Sequence, residues 1–194
     1  MGKDTKLSGP AALASVLLTQ LGFAGFGWWL AGRLGVDLGP ALAPTVEAIS
    51  MGIGAALLFY GGILGSRHLF PGVWRDLDVL VRKIYGESGL PLSWPAILAL
   101  SAAAGIGEEL LFRGALQGWL AQDWPLTPAI AVPSIGFAVL HPYSRAYVAY
   151  AFVIGCLLGL LYAWSGSLLA AVIAHGLYDV LALARLRREL VRRS

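Results

Sequence analysis

Six apolar runs, most of them long enough to cross a lipid bilayer, divide this chain and leave it few ways to fold. They extend from Ala11 to Ala31, Ala41 to Leu64, Trp94 to Leu120, Thr127 to His141, Ala146 to Trp164 and Ser167 to Ala184. A hydrocarbon core about 30 Å thick takes roughly 20 apolar residues per helix, and inside it the backbone must satisfy its own hydrogen bonds. The chain is 58% hydrophobic and only 13% charged, about half the charge of a soluble domain. With a mean hydropathy of +0.73, it has more apolar surface than a soluble domain of this length could hide. The expected fold is an all-α integral membrane protein, a bundle of about six transmembrane helices forming one polytopic domain over residues 1–194.

The basic residues fall between the runs in an ordered way. Lys3 and Lys6 precede the first run; Arg67, Arg75, Arg82 and Lys83 separate the second from the third; Arg145 lies between the fourth and fifth. Arg185, Arg187, Arg188, Arg192 and Arg193 follow the sixth. An even number of crossings puts all of these on one side, which the positive-inside rule makes the cytoplasm, with both termini there. The opposite loops carry Arg33, Asp37 and Asp123. The first run is too long for a signal-peptide core and reads as an uncleaved span, with no lipidation pattern at either end. The expected location is the plasma (inner) membrane of a bacterium.

Between the second and third runs, residues 66–89 are polar, with Leu69, Val73, Leu77, Leu80 and Ile84 at helical spacing. This is the pattern of an amphipathic helix lying in the cytoplasmic interface. The basic tail, residues 185–194, reads as a topology and lipid anchor, not a nucleic-acid surface. Cys156 is the single cysteine, which excludes an internal disulfide and cysteine metal clusters. Gly155 and Gly159 have the spacing for close helix contact, within the chain or between copies. Glu47 and His68 are assigned no catalytic role.

The chemistry concentrates in residues 94–184. Glu108, Glu109 and Arg113 lie within an apolar run, where ionisable groups are costly and commonly functional. At about 100° per residue, Glu109 and Arg113 share a helix face in the favourable acid-before-base order. Glu108 points away from that pair, free in a low dielectric, as a general base requires. His175 and Asp179 share a face of the sixth run, and His141 ends the fourth just before Pro142. There is no His-Glu-x-x-His motif and no Gly-x-Ser-x-Gly elbow. A site of Glu108, His141, His175 and Asp179 can activate water and stabilise an oxyanion without a covalent intermediate. The same four donors could instead hold a divalent metal.

Glu108-Glu109-x-x-x-Arg113, then Phe137-x-x-x-His141, then His175-x-x-x-Asp179 together resemble the three motifs of the CPBP (Abi-type) family. This family comprises CaaX prenyl endopeptidases and bacteriocin-processing or bacteriocin-immunity proteins. The resemblance covers residues 94–184, about half the chain. It implies an intramembrane endopeptidase in which Glu108 and His141 polarise the hydrolytic water, His175 and Asp179 line the oxyanion side, and Glu109 with Arg113 forms a supporting ion pair. It favours a glutamic mechanism with no cofactor, a divalent metal on the same residues being the alternative. The implied partners are lipid and a peptide or protein substrate with a membrane-associated segment. A non-catalytic immunity or scaffold protein on the same fold is the competing reading, and a proton relay the third.

The best-characterised members of the family carry Asn at the position of Asp179, and Asp variants also occur. An ionised Asp cannot donate to an oxyanion. Asp179 is therefore either protonated, or the group that orients His175, or a metal ligand. His141 also falls nearer the cytoplasmic end than Glu108 and His175. Either the fourth helix continues past Pro142, or the site opens to the cytoplasm as a water-filled funnel.

Overall fold

The computed structural model describes residues 9–192, all helix and connecting turns. Lys3, Lys6 and Arg193, used above for topology, lie outside the described residues. The helices are α1 (Gly9–Arg33), α2 (Val46–Leu69), α3 (Pro71–Ser88), α4 (Trp94–Leu120), α5 (Leu126–Val139), α6 (Arg145–Ser165) and α7 (Leu168–Val191). Five of them are long and apolar enough to cross a membrane, and α5 is a shorter apolar helix. Large apolar side chains such as Leu18, Trp28, Leu58 and Trp164 face outward, as a lipid-exposed surface requires. The chain is an integral membrane protein.

Helix α4 is the axis of the bundle. Its apolar window is 61% buried, against 17% for α1 and for α2. It packs on α1, α5 and α7, while α7 also packs on α2. Small residues set these approaches. A Cβ on Gly105 would lie 2.8 Å from the Val172 carbonyl oxygen and 3.0 Å from the Gly176 nitrogen, so α4 and α7 meet backbone to backbone. Gly27 of α1 faces the backbone of Leu110 and Leu111 as closely. Gly155 meets Ser134 and Arg113, and Gly159 meets Ile130 and Gln117. The glycine pair on α6 thus serves packing within the chain.

The structure moves several boundaries. The second run begins with a short 3-10 turn at Pro40–Leu42. Its helix starts after Thr45, whose hydroxyl caps the Ala48 nitrogen at 3.1 Å. The polar segment 66–89 is not one helix: it breaks at Phe70, before Pro71. Residues 66–69 complete α2, and the amphipathic helix is α3, closed by Gly89 at φ 71°. The residues expected as a separate basic tail continue α7 to Val191. Arg185 pairs with Glu189 at 3.0 Å, Arg82 of α3 reaches the same carboxylate at 3.3 Å, and Leu186 packs in a cluster with Ile97 and Leu183. Packing and ion pairs hold those turns in the bundle.

Helix α5 ends at Val139, so His141 lies in the turn beyond it. Pro142 disfavours helical geometry in the residue before it. Ser134 faces Gly155 and Ile130 faces Gly159, so α5 runs antiparallel to α6 and His141 is level with the first turns of α6. The fourth run therefore does not extend as helix past Pro142, and the site reaches the basic end of the bundle through a cavity.

Candidate active site

Within α4 the hydrogen bonding changes immediately after Glu109: Leu110–Gln117 is a π-helical stretch. Such wide turns are uncommon and gather at functional sites. The carboxylate pair thus sits at the junction of two helical geometries. Glu109 and Arg113 are both fully buried, and Arg113 Nη1 donates to Glu109 Oε1 at 3.0 Å. Arg113 Nη2 donates to the Gly155 carbonyl at 2.9 Å, which ties the pair to α6. The guanidinium also lies 4.8 Å from the centre of the Phe137 ring.

Glu109 has a second partner. Its Oε1 lies 2.8 Å from His175 Nδ1. Because a carboxylate only accepts, that nitrogen carries the proton. The other ring nitrogen, Nε2, lies 3.6 Å from Asp179 Oδ2 and 3.8 Å from Glu108 Oε2. The hydrogen bond that orients the imidazole thus goes to Glu109, and Asp179 lies on the other side of the ring. Both Nε2 distances are beyond hydrogen-bond range, so the one hydrogen bond of the ring is the one to Glu109, and Nε2 faces Asp179 and Glu108 across the cavity.

Glu108 is buried but not unpartnered. Gln20 of α1 donates its amide to Glu108 Oε1 at 2.7 Å. No motif in the sequence marks Gln20. Its signal was present all the same: it is the one side-chain amide in the first apolar run. His141 is half-buried, and its Nδ1 lies 2.8 Å from the Phe137 carbonyl oxygen. A carbonyl only accepts, so Nδ1 holds the proton and the Nε2 of a neutral ring is a free acceptor. Phe137 lies between the two histidines, its ring 4.8 Å from that of His141 and 6.0 Å from that of His175.

Glu108, His141, His175 and Asp179 line one cavity of about 360 Å³. Six of the seven tyrosines line it too: Tyr60, Tyr85, Tyr143, Tyr147, Tyr150 and Tyr178. The hydroxyls of Tyr150 and Tyr178 are hydrogen-bonded to each other. A run of ring contacts joins His141 to Tyr147, Tyr147 to Tyr150 and Tyr150 to Trp74. Arg67 stacks on Trp74 and pairs with Asp78 at the far end of this wall. Burial, with Asp179 adding to it, pushes the Tyr85 hydroxyl well above the usual phenol range, so Tyr85 stays a neutral donor at the α3 side.

The four acids and imidazoles named from the sequence share this space without forming a cation cage. Among the described residues no three His, Cys, Asp or Glu side chains come together as a metal-ligand group.

Residues 90–181 match the family described as type II CAAX prenyl endopeptidase, Rce1-like. The chain is also similar to the uncharacterised protein YpbD of Bacillus subtilis (strain 168), with 29% identity over 152 residues, 77% of this chain and 74% of that one. No solved structure matches it significantly. Residues 90–181, which bring Glu108, His141, His175 and Asp179 to one cavity, are thus the part of the chain that is similar to the CAAX-protease family of membrane proteins.

Proposed function

We propose that this chain is an intramembrane endopeptidase that hydrolyses a peptide bond of a membrane-associated or exported protein by a glutamic mechanism. The observation that carries this reading is the division between two adjacent carboxylates. Glu109 is neutralised by Arg113 and bonded to His175, whereas Glu108 takes its hydrogen bond from a neutral amide and faces the cavity, with His175 Nε2 3.8 Å from its second oxygen.

In this mechanism Glu108 Oε2 and His141 Nε2 bind the hydrolytic water. Glu108 takes its proton as hydroxide attacks the scissile carbonyl carbon. The negative charge that develops on the carbonyl oxygen accepts a hydrogen bond from His175 Nε2, on the side where Asp179 also lies. The proton held by Glu108 passes to the leaving nitrogen as the C–N bond breaks, which regenerates the carboxylate. The apolar and tyrosine-rich walls suit an extended peptide: apolar side chains meet ring faces and the phenol groups meet peptide polar atoms. In this reading the mouth opens to the cytoplasm of a bacterium, which the positive-inside rule favours for the basic segments around it.

Mass spectrometry of membrane-protein termini tests the reading. Cells carrying the wild type are compared with cells carrying Glu108→Ala. A terminus that depends on Glu108 identifies the activity and the substrate together. Identical termini in both, with the variant inserted and abundant, would sink the proposal.

A further inference from the structure

We infer that Gln20 is a positioning residue for Glu108: it holds one carboxylate oxygen so that the other faces the water site. The inference rests on Glu108 being the general base and extends the site to α1, which lies outside the segment matched by the family.

Three observations carry it. The first is the bond itself, 2.7 Å from Gln20 Nε2 to Glu108 Oε1, between two buried side chains 88 residues apart. Its polarity is fixed by chemistry: the reversed amide would set two acceptors against each other. The second is how Gln20 reaches its place. A Cβ on Gly107 would lie 2.4 Å from the Gln20 carbonyl oxygen, and one on Gly27 would lie 2.7 Å from the Leu111 nitrogen. Gly107 and Gly27 therefore let the backbones of α1 and α4 touch at two points, which locks the depth of Gln20 to that of Glu108. The third is selectivity. The Gln20 Oε1 atom is buried with no partner among the described residues. The amide thus makes its one side-chain bond to Glu108, and Gln20 itself lines the cavity.

The choice of an amide has a chemical reason. A guanidinium, as on Glu109, would cancel the charge that a base needs. An amide donor fixes the rotation of the carboxylate and leaves it formally negative. One oxygen is occupied at 2.7 Å; the other lies 3.8 Å from His175 Nε2, on the cavity side.

The test uses the full-length protein in detergent or liposomes and a synthetic peptide spanning the terminus that depends on Glu108. Gln20→Met keeps the bulk and removes the donor; Gln20→His keeps a side-chain N–H. Gln20→Met is expected to lower kcat about tenfold or more, with KM and melting temperature near wild type. Gln20→His should recover part of the loss. A Gln20→Met enzyme with kcat within twofold of wild type would overturn the inference while leaving the glutamic mechanism standing. So would equal losses in both variants that track a fall in melting temperature, since these mark a packing role alone. If no cleavage depends on Glu108, the proposed activity fails first and the inference falls with it.

Discussion

His175 and Glu109 are joined at 2.8 Å across two helices, although Asp179, one turn along the same helix, had the simpler claim on the imidazole. Glu109 therefore performs two tasks: it neutralises Arg113 and fixes which nitrogen of His175 faces the cavity. The roles of the neighbouring acids follow from that bond.

Glu108 and Glu109 should respond to the same substitution in opposite ways. Glu108→Gln keeps a partner for Gln20 and removes the base, so it should fold normally and lose cleavage by at least about a hundredfold. Glu109→Gln leaves the fully buried Arg113 without its counter-charge, a loss of about 3–5 kcal/mol. It should accumulate poorly and melt at a lower temperature. Thermal melting in detergent beside a cleavage assay separates the two. Equal stability of both variants would contradict the division of roles.

Asp179→Asn should retain activity within about threefold of wild type, or exceed it. The imidazole is already oriented by Glu109, and the Asn amide can donate where an ionised Asp cannot. A loss of about a hundredfold in kcat/KM would instead make the negative charge of Asp179 part of the mechanism.

Chelation should leave the enzyme active. Dialysis against EDTA followed by elemental analysis is expected to give full cleavage with no stoichiometric metal, because the proposed mechanism uses Glu108 itself as the base. Activity that disappears with the chelator and returns with one specific divalent ion would support a metal mechanism on Glu108, His141, His175 and Asp179.

The glycine seam beneath the site predicts a contrast in stability. Gly105→Ala would drive a methyl group to 2.8 Å from the Val172 carbonyl oxygen. Neither backbone can yield without separating α4 from α7, a cost of about 1–3 kcal/mol. Gly54→Ala enters open space on α2 and should leave the melting temperature unchanged or slightly raised. Matching melting curves for the two variants would count against a close α4–α7 approach.

Much of this was legible in the sequence. The apolar runs and the paired acids required a helical membrane protein. Four-residue spacing placed Glu109 with Arg113, and His175 with Asp179, on shared faces. These are properties of one helix, and periodicity alone fixes them. The partners that cross between helices were not legible: Gln20 on Glu108, Glu109 on His175, and six tyrosines gathered from α2, α3, α6, α7 and the turn after α5. Those depend on how far each helix slides and rotates against its neighbour. Glycines control that through backbone contact, and their effect appears only when both surfaces are known. The same reason hid the true end of the last helix, whose basic turns are held by Arg82 and Leu186 packing from outside any local pattern. Sequence decided the solvent and the chemical groups; tertiary packing decided which carboxylate was left to act as a base.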